Sequence, residues 1–263
     1  MICPDTAHIW SDECGAPGAN VGCTLLTVSC PDGKLTPELC EGRLQGRGFQ
    51  HHVQPAAIFV SQSTELGTVY TMEELRRLRE FAKREGLWFF MDGARVCNAA
   101  MSLGVSLKEM VEGVDVLSFG GTKNGLMAAE AVVFLREGLA EDFQYVRKQE
   151  MQLASKMRFF AAQFIALLKN GLWKLNAGHA NEMAKLLERK VREQCPQLSI
   201  LYPVESNAVF VQLPAKVLEQ MQQKSFFWIW DEEKSVARWM TSWDTQPEFI
   251  ERFVEILRKL IFS

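Results

Sequence analysis

The sequence predicts an α/β protein: a mostly parallel sheet in residues 1–140, then a smaller α+β part in residues 141–263. Three observations carry this. Four short apolar runs, residues 57–60, 87–91, 114–118 and 131–135, read as buried strands. Helix signals separate the first three, and such alternation argues parallel strands with right-handed crossovers. After about residue 137, helical stretches and closely spaced strands argue helices packed on one face of a separate sheet.

Residues 23–28 read as a strand closed by the turn Pro31-Asp32-Gly33. Thr36-Pro37-Glu38 opens a short helix with proline at its first position. The strand 57–60 runs into a polar loop, residues 61–70. Thr71 and Glu74 form a capping box for a helix with the stripe Leu75, Leu78 and Phe81, and Gly86 follows as its C-cap. Next come the strand 87–91, helices over 94–103 and 106–112, and the strands 114–118 and 131–135. Residues 139–169 are helix-like, and residues 176–181 read as the opening turn of a helix over 181–192. Residues 207–213, 226–230 and 236–241 read as strands, and 247–262 as a closing amphipathic helix. With no repeat and no Gly/Ser-rich linker, a long helix rather than a flexible joint connects the two parts.

The 263 residues are 48% hydrophobic and 23% charged, ordinary for a soluble globular protein. A net charge of −3 gives no basic footprint for nucleic acid. Seven cysteines without a CxxC pair point to reduced, buried thiols and a cytoplasmic location rather than to a metal site. The apolar runs are too short to span a bilayer, and Met1-Ile2-Cys3-Pro4 lacks the pattern of a signal peptide.

Chemistry in open α/β sheets gathers where strands leave the core. Asp92 stands at one such end and Lys123, after Gly120-Gly121-Thr122, at the next. An acid and a lysine from neighbouring strands suit pyridoxal phosphate, whose aldehyde a lysine binds and whose ring nitrogen an acid partners. Taken singly, Lys123 also reads as an exposed loop lysine and Asp92 as a helix N-cap. The GxxxxGK[ST] spacing of a phosphate-binding P-loop is absent. Arg95 could bind an anion or pair with Asp92; His8 could stack, ligate or act as a base. Arg238, inside an apolar strand, requires a partner, either a ligand carboxylate or a structural acid. The aromatic cluster Phe226-Phe227-Trp228-Ile229-Trp230 reads as core.

Over nearly its whole length the chain resembles the threonine aldolase and β-eliminating lyase group of fold-type I pyridoxal phosphate enzymes. The resemblance rests on Ala7-His8-Ile9 with Glu13, the loop 61–70, Met91-Asp92-Gly93-Ala94-Arg95, residues 118–125, the run 147–158, and Arg238-Trp239. It implies a large domain of the pyridoxal phosphate-dependent transferase-like fold and a smaller C-terminal domain. The implied reaction is aldol cleavage of a β-hydroxy-α-amino acid, threonine or an aryl analogue, to glycine and an aldehyde. Lys123, Asp92 and His8 are then catalytic. Lys123 holds the cofactor, Asp92 keeps its ring nitrogen protonated, His8 stacks on the ring, and Arg95 and Thr122 make further cofactor contacts. Arg238, Arg95 and Glu13 bind substrate, Arg238 gripping its carboxylate. A homo-oligomer, dimer or tetramer, is implied, with no metal, nucleic-acid or membrane partner. The group's loop carries a histidine where this chain has Gln62-Ser63-Thr64-Glu65, so the resemblance assigns no base. Family members also carry a segment ahead of the His8 region that cups the cofactor phosphate. The expectation is that this segment is lacking and the large domain incomplete. β-Elimination, another reaction at Cα, or a non-catalytic truncated fragment are the alternatives.

Overall fold

The computed structural model describes residues 1–262, whose strands divide into two sheets. The first is built from β1 (Ile2–Pro4), β2 (Leu26–Val28), β3 (Ala57–Ser61), β4 (Trp88–Gly93), β5 (Val116–Gly120) and β6 (Glu130–Phe134). Their spatial order is β2-β1-β3-β4-β5-β6. Every neighbouring pair is parallel except β5 with β6. The register places Val60, Met91 and Leu117 in one row across three strands, all buried. The next row is Ser61, Asp92 and Ser118. The core therefore ends, and polar chemistry begins, between adjacent residues of the same three strands.

The helices of this part are α1 (His8–Ser11), α2 (Ala16–Val21), α3 (Pro37–Glu41), α4 (Met72–Arg84), α5 (Val96–Leu103) and α6 (Leu107–Met110). The expected capping box of α4 is present: Thr71 Oγ1 accepts from the Glu74 amide at 3.2 Å, and Glu74 Oε2 accepts from the Thr71 amide at 2.6 Å. Its apolar stripe, Leu75, Leu78 and Phe81, is buried on the sheet.

β1 was not anticipated. It has three residues, too few for a periodicity signal, yet it lies between β2 and β3 with Ile2 and Cys3 fully buried. The strand expected over 23–28 shortens to β2. The polar loop 61–70 is buried throughout, not solvated. Several of its polar groups are paired within the loop: Gln62 Nε2 donates to Tyr70 O at 2.9 Å, its Oε1 accepts from Tyr70 N at 3.0 Å, and the Thr64 and Thr68 hydroxyls meet at 2.6 Å.

The rest of the chain forms α7 (Phe143–Gln149), α8 (Arg158–Leu168), α9 (Leu172–Gln194), β7 (Ser199–Ile200), β8 (Ala208–Gln212), α10 (Ala215–Gln222), β9 (Trp228–Asp231), β10 (Val236–Met240) and α11 (Pro247–Ile261). The second sheet, β7-β8-β10-β9, is antiparallel. The helix-like stretch 139–169 is broken between α7 and α8, where Met151 and Lys156 have positive φ. The opening turn expected at 176–181 is instead the interior of α9. Gly178 and the asparagines mimic turn chemistry, but they serve helix packing. A Cβ on Gly178 would stand 3.4 Å from Met101 Cε on α5, and Asn181 exchanges hydrogen bonds with Asn98 at 3.0 and 2.9 Å. α9 spans both cores: Trp173 and Ala177 pack in the first, Met183, Ala184, Leu187 and Val191 in the second.

β4 and β5 approach most closely just past the sheet. A Cβ on Gly120 would lie 2.7 Å from Ala94 Cα and 2.9 Å from Ala94 O, both backbone atoms that cannot rotate away. Gly120→Ala should therefore lower stability by about 1–3 kcal/mol, read as a lower urea midpoint; an unchanged midpoint contradicts this packing.

Candidate active site

β1, β3, β4 and β5 are parallel, so all four end at one edge of the sheet. β2 lies on one side of β1 and β3 on the other, so the winding reverses between β1 and β3. Open α/β sheets form ligand crevices at this kind of switch point. A cavity of about 190 Å³ lies here. His8 enters it after β1, Glu65 after β3, Asp92 from the end of β4 and Arg95 just beyond it, and Lys123 after β5. Arg238 enters from β10 of the second sheet. A larger space of about 680 Å³ shares His8, Arg95, Lys123 and Arg238 and is walled on its far side by Trp228 and Trp230.

Lys123 sits in a single turn, residues 122–124, directly after β5. Gly121 permits the turn, because a Cβ there would meet Ala129 O at 2.6 Å. The turn is fastened from α9: Asn124 Nδ2 donates to Trp173 O at 3.2 Å, and Asn176 Nδ2 donates to Asn124 O at 2.8 Å. Burial among its neighbours, and then the positive charge of Arg95, hold the Lys123 ammonium below the usual lysine range. The side chain keeps an exposed part, as a loop lysine does, while lining both cavities.

Asp92 Oδ1 accepts from the Ala94 amide at 2.8 Å. The helix after it begins at Val96 with Arg95 in the cap position, so Asp92 shapes a turn rather than capping α5. Burial, reinforced by the charge of Arg238, pushes the Arg95 guanidinium down to about 10. Burial also lowers Arg238. Among the described residues neither arginine forms an ion pair, and the Nε of each is buried without a hydrogen-bond partner. Arg238 does lie over the Trp230 ring at 5.6 Å. A structural acid for Arg238 is thus not what the fold supplies.

His8 presents its backbone amide to Glu65 Oε1 at 2.8 Å, and its Nδ1 lies 2.7 Å from Glu13 Oε1. Thr122 is not drawn into either cavity; its hydroxyl accepts from the Ala129 amide at 3.2 Å. Two groups escaped the sequence reading. Glu65 is buried and accepts from Ser61 Oγ at 2.6 Å, and burial raises its pKa above the usual carboxylate range. The signal was a lone acid in a polar run directly after a buried strand. The aromatic cluster is also not uniformly core: Phe227 is buried, whereas Phe226 and Trp228 are exposed and Trp230 faces Arg238.

The beta-eliminating lyase family matches residues 1–216. Low specificity L-threonine aldolases of Pseudomonas sp. and Pseudomonas aeruginosa are 40% and 42% identical over 99% of this chain, covering 76% and 75% of their own lengths. The structure of Leishmania major threonine aldolase superposes with a TM-score of 0.91 at 31% identity, over 99% of this chain and 77% of that one. A putative L-allo-threonine aldolase from Listeria monocytogenes, with a TM-score of 0.76 at 17% identity over 98% of this chain and 74% of that one, shares the fold. The chain belongs to the beta-eliminating lyase family.

Proposed function

We propose that the chain is a pyridoxal phosphate-dependent aldehyde-lyase that cleaves a β-hydroxy-α-amino acid, threonine or an aryl analogue, to glycine and an aldehyde. One observation carries the reading: a lysine of lowered pKa shares a cavity with an aspartate and two half-buried arginines that have no ion-pair partner among the described residues. The names of the Pseudomonas and Leishmania relatives support the substrate class.

The donor set fits the cofactor. Lys123 offers an amine with a lowered pKa to its aldehyde. Asp92, with one oxygen fixed by the Ala94 amide, keeps its other oxygen for the protonated ring nitrogen. His8, oriented by Glu13 and by the bond from its amide to Glu65, would stack on the ring. The unpartnered Arg95 Nε answers a ring oxygen. Held by these residues, the cofactor would supply an electron sink for the bond broken at the substrate Cα. Arg238 then holds the substrate carboxylate through its guanidinium fork and fixes which bond at Cα faces the ring.

Exposed apolar side chains on α7, α8 and α9, including Tyr145, Phe159, Ile165, Leu168 and Leu175, support a homo-oligomer. Unpaired thiols at all seven cysteines support a cytoplasmic location. Among the described residues no helix is long and apolar enough to cross a membrane.

Incubation with pyridoxal phosphate at neutral pH, then borohydride reduction and peptide mass spectrometry, should label Lys123 ahead of the surface lysines. Lys123→Ala should abolish that label; equal labelling of surface lysines contradicts the assignment. Arg238→Lys should raise KM for threonine or phenylserine about 10–100-fold, as expected for losing a charge-assisted fork. An unchanged KM removes Arg238 from the substrate. Product analysis completes the test, since β-elimination releases ammonia and an oxo acid instead of glycine and an aldehyde.

A further inference from the structure

We infer that the Glu65 carboxylate takes the proton from the substrate's β-hydroxyl. The inference rests on the aldol-cleavage reading and adds to it the group that starts bond breaking.

Four acids line the cavity: Glu13, Glu65, Asp92 and Glu130. Glu13 is exposed and engaged with His8 Nδ1. Glu130 is exposed and accepts from the Thr122 amide at 3.2 Å. Asp92 is committed to the Ala94 turn and the ring nitrogen. Glu65 alone among these acids is fully buried, at 7% exposure. Its Oε1 is fixed by two donors, Ser61 Oγ at 2.6 Å and the His8 amide at 2.8 Å. Its Oε2 is buried with no hydrogen-bond partner among the described residues, and so is Ser63 Oγ on the same cavity wall.

A buried polar atom left unpaired is costly, so two in one cavity mark a place where a ligand supplies the partner. A substrate hydroxyl suits both: it donates to Glu65 and accepts from Ser63. Burial raises the Glu65 pKa above the ordinary carboxylate range, which makes the carboxylate a better proton acceptor than an exposed glutamate. In the step, the hydroxyl proton passes to Glu65 and the O–H electron pair becomes the second bond of the aldehyde carbonyl. The Cα–Cβ bond breaks, and its pair remains with the glycine carbon until a solvent-derived proton reaches it. Glu65 then returns its proton to solvent.

Glu65→Gln keeps an oxygen for Ser61 and His8 but cannot accept the proton. With cofactor bound, kcat for phenylserine cleavage should fall about 100-fold or more, with KM changed by less than about three-fold. Exchange of the α-proton of glycine, which has no β-hydroxyl, should persist. If cleavage continues at the wild-type rate, or if exchange is lost with it, the inference is overturned. A second readout needs no cofactor: urea unfolding of the wild type and Glu65→Gln from about pH 4 to about pH 8. The titratable and charged groups around Glu65 are His8, Glu13, Asp92, Arg95, Lys123, Glu130 and Arg238 in the cavity, with Cys3 and Tyr70 also in electrostatic reach, and all are common to both proteins. Folded Glu65 keeps a proton that the unfolded chain has released, so wild-type stability should fall relative to the variant as pH rises above the ordinary carboxylate value. Parallel curves overturn the inference. Wild type that exchanges glycine but releases no aldehyde refutes the aldol reading and the inference together; full cleavage by Glu65→Gln refutes the inference alone.

Discussion

In-register parallel pairing of β3, β4 and β5 sets Ser61, Asp92 and Ser118 side by side, one residue beyond the buried row of Val60, Met91 and Leu117. The cavity depends on that alignment. Antiparallel pairing of β4 and β5 would send Asp92 and Lys123 to opposite edges. Parallel pairing brings them to one edge, and the tight contact between Gly120 and Ala94 keeps the two strand ends together. The antiparallel β6 adds its first residue, Glu130, to the same edge, because Glu130 is in register with Gly120.

The cavity also carries an electrostatic tension. Burial works against the charges of Lys123, Arg95, Arg238 and Glu65 alike. A charge with no fixed partner is held there only because the surrounding scaffold is rigid. The scaffold includes the loop 61–70, fastened to the second sheet region by Glu205 and Ser206, and the bonds of Asn124 with Trp173 and Asn176 that tie the Lys123 turn to α9. Preorganised charge of this kind favours a ligand that brings a carboxylate and further polar groups, at little reorganisation cost.

Much of this was legible in the sequence because strong local signals coincide with the elements that matter. The capping box of Thr71 and Glu74, the strand ends at Asp92 and Lys123, and the misplaced charge of Arg238 could all be read from residue types. β1 could not, since three residues carry no period and its role comes from long-range pairing with β2 and β3. α9 was misread because asparagine and glycine favour turns locally, whereas here the contact with α5 overrides that preference. Glu65 was passed over because burial of a polar loop is a tertiary property: nothing in Ser61-Gln62-Ser63-Thr64-Glu65 announces that the second sheet will cover it.

The five residues of β10 serve two masters in alternation. Val236, Arg238 and Met240 face the site side, while Ala237 and Trp239 belong to the core beneath α9 and α11. Inserting a single residue before Arg238 would exchange the two sets, driving the guanidinium into packed hydrocarbon and the indole into the cavity. β10 itself is therefore constrained by parity. Its length can drift in evolution by even steps, or by an odd step absorbed in a bulge such as the register shift at Val236 and Ala237. An odd step without such a bulge would cost Arg238 its place in the cavity and Trp239 its place in the core.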